Sequence, residues 1–192
     1  MSESIILIGN GNVKENEFFG ETIDSFDNVV RFNRFETKRY EKYIGEKTTH
    51  WILNKDLYEK GFFSKKLKGD LDVKRYVITG VTPNKNSNLK NITYVLGQNS
   101  KVFQDYKTIM GGDMIPTYKP DTGIVTILYF LDRYEKVYLY NFDFGKTKHY
   151  FDSQQPNMRH NWNYSKKIVE HFIEKGRIKI LTKKKGDKNE KL

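Results

Sequence analysis

The chain has no cysteine among its 192 residues, which excludes disulfides, thiolate zinc sites and a cysteine nucleophile. It has no apolar run near the length of a bilayer span and no signal-peptide hydrophobic region. These absences lead us to expect a cytoplasmic, soluble protein, or a piece of a longer chain whose anchor lies elsewhere. There is no G-x-S-x-G, the mark of a Ser–His–Asp hydrolase, and nothing pairs two carboxylates as a glycosidase requires. The full G-x-x-x-x-G-K-[ST] run of Walker-type NTPases is missing as well. Acidic residues are in deficit: 24 Asp and Glu face 34 Lys and Arg, a formal net charge of +10. Such a surplus favours anionic partners, whether nucleic acid, an anionic membrane face or a phosphorylated or carboxylated substrate. It also serves solubility, since Lys is spread along the chain among many Asp and Glu.

What is present is aromatic. Hydrophobic residues make up only 37%, yet thirteen Tyr and thirteen Phe can build a core with few aliphatics. The length suits one compact domain, which we place at residues 1–182. The charged end, Lys183–Leu192, has no core residues and reads as a basic disordered tail. Short apolar runs predict strands at Ser4–Ile8, Asn28–Asn33, Thr48–Asn54, Arg75–Val81, Asn91–Leu96, Lys136–Phe142 and Arg177–Leu181. Helices are expected at Glu36–Tyr43, Lys55–Lys68 (interrupted near Gly61), Gln98–Met110, Asp121–Tyr134 and Asn163–Lys175. The last has Tyr164, Ile168 and Phe172 on one face beside Val169 and Ile173. This alternation predicts an α/β domain with a largely parallel sheet. Ligands of such sheets bind at the carboxyl ends of the strands. That rule selects Gly9–Asn12, Asn33, Asn54 and the segment after Phe142.

Gly9-Asn10-Gly11-Asn12 follows the first strand, where glycines let backbone amides approach a phosphate or sugar. The spacing is not G-x-G-x-x-G, because Lys14 occupies the third position. An ordinary strand-to-helix turn accounts for it equally well. Asn10, Asn33 and Asn54 close three strands; amides suit ribose hydroxyls, a pyrimidine edge or a sugar. They are also common at turns. Pro120-Asp121-Thr122-Gly123 precedes an apolar helix, either as a simple N-cap or as an anion site built on Thr122 and the helix start. His149-Tyr150-Phe151-Asp152 and Met158-Arg159-His160 lie in a long polar loop, the kind of segment that carries function. His149 or His160 can act as a general base. A metal site from these two lacks helical spacing and a third ligand. His50 and His171 read as structural.

Taken together, these segments resemble the sialyltransferases. Gly9–Asn12, Ile23-Asp24-Ser25, Arg31-Phe32-Asn33 and Gly45–His50 follow the order of the large sialyl motif of the animal-type family. "KPDTGIVTILYFLDRYEKVYLYNFDF" resembles the small sialyl motif, and "KHYFD" the short histidine–tyrosine motif. His160 falls where the very short motif supplies its catalytic histidine. A bacterial sialyltransferase family is similar in its "GNG" start and its His ahead of a final helix and strand. The chain departs from the animal-type pattern in four ways. It has no cysteine for the disulfide joining the two long motifs, and no stretch of the given sequence reads as the membrane anchor; Asp121 stands for the usual Ser or Thr; and Ser165 stands where His-x4-Glu has its Glu. A short bacterial or viral relative fits these departures.

The resemblance implies a single Rossmann-like α/β/α domain of GT-A-like type. It implies an inverting, metal-independent glycosyltransferase with no cofactor beyond a CMP-activated sialic acid, or a related keto sugar acid, as donor. The acceptor would be a glycan or glycolipid hydroxyl. Gly9, Asn10, Gly11, Asn12, Asn33, Asn54, Thr122, Gly123 and Asp143 would bind the donor. His149 and Tyr150 would donate to the departing phosphate, and His160 would be the base. The basic tail would allow peripheral contact with an anionic membrane. Two alternatives stand beside this reading: a non-catalytic nucleic-acid-binding domain, argued from charge and aromatics, and a degenerate transferase that binds nucleotide without turnover. No nucleic-acid motif supports the first.

Overall fold

The structure is a computed structural model that describes residues 3–62, 73–79, 92–96, 108–109, 120–152 and 160–183. The expected helix at Gln98–Met110 (apart from 108–109), the loop at Met110–Lys119 and the tail beyond Lys183 lie outside the described residues. Seven strands form one sheet: β1 (Ile5–Ile8), β2 (Asn28–Phe32), β3 (His50–Asn54), β4 (Lys74–Thr79), β5 (Ile92–Leu96), β6 (Val137–Tyr140) and β7 (Ile178–Ile180). Every pairing is parallel, and the order is β5-β4-β3-β2-β1-β6-β7. β1 is apolar without alternation. Ile5, Ile6, Leu7 and Ile8 are each at most 2% exposed, as a strand covered on both faces requires.

Alternate side chains of the strands enter separate core clusters on the two faces, three among the described residues, one of them around Trp51 and Leu53 of β3. Ile5, Leu7, Val30, Phe32, Ile52 and Leu139 pack under α4 (Thr122–Leu131) and α5 (Trp162–Glu174). Ile6, Ile8, Val29 and Tyr140 pack with Ile23 of α1 (Gly20–Asp24) and Ile44 of α2 (Glu41–Ile44). The result is an α/β/α sandwich of Rossmann-like type, as the resemblance implied, on the parallel sheet that the alternation predicted. A further short helix, α3 (Lys55–Glu59), follows β3 directly.

Three local expectations are corrected. The helix expected from Glu36 begins only at Glu41, after Arg39 adopts φ 77. α1 was not expected; it exists because Gly20 lets it pack on α2, where a Cβ would lie 2.0 Å from the Glu41 carbonyl oxygen. Ile173 belongs to no buried face and is 39% exposed, while Ser165, Ile168 and Val169 are the buried residues of α5.

The order of strands reverses between β1 and β6, so the chain leaves these two neighbours in opposite directions. Their exits nevertheless run in backbone contact. The Gly9 amide donates to the Tyr140 carbonyl at 2.8 Å and the Gly11 amide to the Asn141 carbonyl at 3.2 Å. A Cβ on Gly9 would lie 2.5 Å from the Asn141 oxygen. Overpacking of this kind costs about 1–3 kcal/mol or more, and here the obstacle is backbone. Gly9→Ala is expected to lower the urea midpoint with an unchanged m-value; a loss below about 0.5 kcal/mol would contradict the contact.

At the opposite edge, His50 is 2% exposed. Its ring stacks on Tyr76 and meets Phe130 edge-on, and its Nδ1 lies 2.7 Å from Thr49 Oγ1. Burial, with a smaller effect of Lys74, pulls its pKa down to about 4. The unfolded chain therefore binds a proton here that the folded chain does not, between pH 6.5 and about 4. Stability from this group is complete above pH 6.5 and is lost as the pH falls through that window, on the order of 3 kcal/mol. His50→Phe is expected to flatten the acid side of a Tm-against-pH curve; an unchanged slope would contradict it.

Candidate functional site

Four asparagines line the carboxyl edge of the sheet and stitch it together. Asn141, after β6, donates its Nδ2 to the Gly9 carbonyl at 3.4 Å and to the Gly11 carbonyl. Asn10, after β1, donates its Nδ2 to Phe32 O at 3.2 Å, at the end of β2, and to Arg34 O at 3.0 Å, just beyond it. Asn33, after β2, accepts the Asn54 amide on its Oδ1 at 3.0 Å. Asn54 caps α3 by accepting the Leu57 amide at 2.9 Å. The ladder runs unbroken from β6 to β3. Asn33 and Asn141 hold φ of 48 and 61, a left-handed conformation that asparagine tolerates better than other side-chain-bearing residues. Asn10 Oδ1 and Asn33 Nδ2 take no part in these bonds.

The loop after β6 folds onto this edge. Asp143 accepts the Gly145 amide on Oδ1 at 3.0 Å, and the Thr147 amide at 2.8 Å and the Thr147 hydroxyl on Oδ2. Thr147 Oγ1 in turn accepts the Asn12 amide at 2.8 Å. The amides of Gly9, Gly11 and Asn12 are thus all bonded within the protein. The glycines serve the close approach of two turns. Tyr150 is buried; its amide donates to Asn10 O at 3.2 Å. Its hydroxyl donates to Glu36 O at 2.7 Å and accepts the Glu36 amide at 3.2 Å. Burial pushes that phenol up to about 12, so it stays neutral and able to donate. His149 beside it is 39% exposed, stacks on Phe151 and has Nδ1 3.7 Å from Asp152.

Two helices begin at the same edge. Asp121 caps α4 by accepting the Ile124 amide on Oδ1 at 2.9 Å. A Cβ on Gly123 would lie 3.2 Å from the Phe142 ring, so this start sits on the strand end after β6. The amides of Thr122 and Gly123 fall in the set that has no partner within the helix. α5 is capped by Asn161, whose Oδ1 accepts the Tyr164 amide at 3.3 Å. His160 precedes that cap and meets the Trp162 ring edge-on, with centroids 5.1 Å apart. The indole lies over Gly145, at φ 74, where a Cβ would stand 2.3 Å from Trp162 Nε1. The two departures from the sialyl motifs, Asp121 and Ser165, meet: Ser165 Oγ donates to Asp121 Oδ2.

The rest of the large motif is a frame behind the site. Arg31, 1% exposed, donates to the carbonyls of Ile44, Gly45 and Lys47 and to Thr48 Oγ1. Asp24 accepts the amides of Glu46 and Lys47 at 3.0 and 2.9 Å. Sequence reasoning missed Asn141, Thr147 and Trp162. Asn141 carried the same signal as the other three, an asparagine closing an apolar strand. Gly145-Lys146-Thr147 is a G-K-[ST] triplet without the preceding Walker glycine, since Tyr140 stands there. Among the described residues, no three His, Asp or Glu side chains come together to hold a metal ion. No helix among them is long and apolar enough to cross a membrane.

Comparison with known proteins identifies the family and the fold. The family model of glycosyltransferase family 29 (sialyltransferase) matches residues 3–108, more than half of the chain. The chicken CMP-N-acetylneuraminate-beta-galactosamide-alpha-2,3-sialyltransferase 1 is 28% identical over 166 residues, which cover 77% of this chain and 47% of that protein. The human CMP-N-acetylneuraminate-beta-1,4-galactoside alpha-2,3-sialyltransferase is 48% identical over 44 residues, covering 23% of this chain and 12% of that one. The chain thus spans less than half the length of these relatives. A solved mammalian sialyltransferase, in complex with Gal-beta-1-3GalNAc-ortho-nitrophenol, superposes with a TM-score of 0.68 at 18% identity, over 94% of this chain and 69% of that one. The fold is shared, and the chain belongs to the sialyltransferases of glycosyltransferase family 29.

Proposed function

We propose that the protein transfers sialic acid, or a related keto sugar acid, from a CMP-activated donor to a glycan hydroxyl. The observation that carries this reading is the convergence at the strand-order reversal. Gly9–Asn12, the loop after β6 and the starts of α4 and α5 meet there, where open parallel sheets bind their ligands. Asn10 Oδ1 and Asn33 Nδ2 are the amide groups assigned to the cytidine or ribose. Thr122 and Gly123, at the start of the ten-residue α4, face the phosphate or the sugar carboxylate, which the helix dipole favours. Gly9, Gly11, Asn12, Asn54 and Asp143 shape the rim.

In the proposed step the His160 imidazole takes the acceptor hydroxyl proton as that oxygen attacks the anomeric carbon. The bond from that carbon to the CMP phosphate oxygen breaks with its electron pair, and a single displacement inverts the carbon. His149, exposed on its loop, donates to the departing phosphate. Tyr150 contributes by holding that loop against Asn10 and Glu36. The step is proposed to need no metal; the one Asp-x-Asp pattern, Asp70-Leu71-Asp72, lies outside the described residues. The relatives' printed names make a terminal β-galactoside the first acceptor to try.

Thermal-shift titration with CMP, UMP, GMP and single-stranded DNA tests the binding half, because a ligand that binds the folded state raises Tm. Selective stabilisation by CMP is expected, unchanged by EDTA. Tighter DNA binding with steep salt dependence would overturn the reading. For the chemical half, His160→Ala is expected to lower transfer by about 100-fold or more with CMP binding unchanged. Transfer at the wild-type rate would remove His160 from the role.

A further inference from the structure

We propose that Asp121 and Ser165 form a positioning pair that fixes His160, an inference that rests on the transferase reading above. The two residues lie 44 positions apart, on the starts of different helices, and are 9% and 5% exposed. The Asp121 carboxylate bridges those starts. Its Oδ1 accepts the Ile124 amide of α4 at 2.9 Å, and its Oδ2 accepts the Ser165 hydroxyl of α5 at 2.5 Å. Both helix dipoles place their positive ends toward it, and burial shields the bond from competing water.

The connection from this bond to His160 is short and stiff. Ser165 is in the first turn of α5; its amide donates to Asn161 O at 3.2 Å, as does the Tyr164 amide at 3.1 Å. The Asn161 side chain closes the same turn. His160 is joined directly to that capped residue. On the other side, α4 is seated by Gly123 on the Phe142 ring, and α5 by Trp162 on Gly145. The pair therefore sets how the start of α5, with His160, stands over the strand ends. No hydrogen bond joins Asp121 or Ser165 to the His160 ring, so their effect passes through the backbone.

The chemistry of the bond is symmetric. It needs an acceptor on one helix and a donor on the other. Serine caps a helix as well as aspartate does, and an acidic side chain suits the first turn of α5. Asp121→Ser combined with Ser165→Asp keeps the same number of atoms across the gap. In Asp121→Ser or Ser165→Ala alone the bridge is lost or too short.

The experiment measures CMP release from CMP-N-acetylneuraminate with lactose as acceptor, giving kcat and donor KM, alongside the CMP-induced thermal shift. The wild type, Asp121→Ser, Ser165→Ala and the double exchange are compared. Displacing a reacting group by about 1 Å costs about 100-fold. Each single variant is expected to lose about 10- to 100-fold in kcat, with donor KM and CMP shift within about twofold of wild type. The double exchange is expected to regain most of the loss. A Ser165→Ala enzyme with wild-type kcat overturns the proposal. So does a double exchange that takes the full CMP shift and turns over no faster than the single variants. A wild-type protein that neither responds to CMP nor releases it overturns the transferase reading, and this proposal with it.

Discussion

The backbone contact between Gly9 and Asn141 is the constraint on which the rest of the site depends. β1 and β6 are neighbours whose continuations diverge, so their exits must share one narrow space. Two missing Cβ atoms make that space possible, and a Cβ on Gly11 would also meet Asp143 Cγ at 2.9 Å. Once the two turns touch, Asn141 reaches the carbonyls of Gly9 and Gly11, Thr147 reaches Asn12, and the Tyr150 amide reaches Asn10. The loop that carries His149 is thereby placed before any ligand arrives. Preorganisation of this kind lowers the cost of assembling a reacting geometry.

A second layer supports the first. The loop at residues 44–48 is gripped from both sides, with the Arg31 cation on its carbonyls and the Asp24 carboxylate on its amides. Among the described residues Arg31 forms no ion pair, and burial, opposed by Tyr150 and Asp24 nearby, lowers its pKa to about 10. It remains charged, because its hydrogen bonds to carbonyl oxygens replace much of the lost hydration. The "IDS", "RFN" and "GEKTTH" segments are thus mostly architecture. In the proposed reaction the chemistry would rest on far fewer groups: amides of the asparagines, the start of α4, and the imidazoles of His149 and His160.

Much of the fold was legible because its signal is local. All seven strands are short apolar runs, and α4 announces itself through Asp121 followed by ten mostly apolar residues. α1 escaped notice because five residues starting at a glycine carry little periodicity; its stability comes from packing on α2. The expected helix at Glu36–Tyr43 lost its first turn because Arg39 takes a left-handed conformation that no propensity reveals. In the site, the asparagines that the sequence points to do meet at the strand ends, but their partners are not readable from the sequence. Asn10 and Arg34 or Asn141 and Gly11 are close only once the strand order is known. The same holds for Asp121 and Ser165, each of which looked like an isolated departure from a motif and which are bonded to each other.

The central claim is that the reversal between β1 and β6 is the nucleotide site. A crystal structure of the protein with CMP tests it most directly. The account predicts CMP density bounded by Asn10, Asn33 and the start of α4 at Thr122-Gly123, with Gly9 and Asn141 unmoved. CMP bound elsewhere, such as the roughly 410 Å³ cavity near His50, Tyr76 and Tyr129 at the opposite edge, would contradict it.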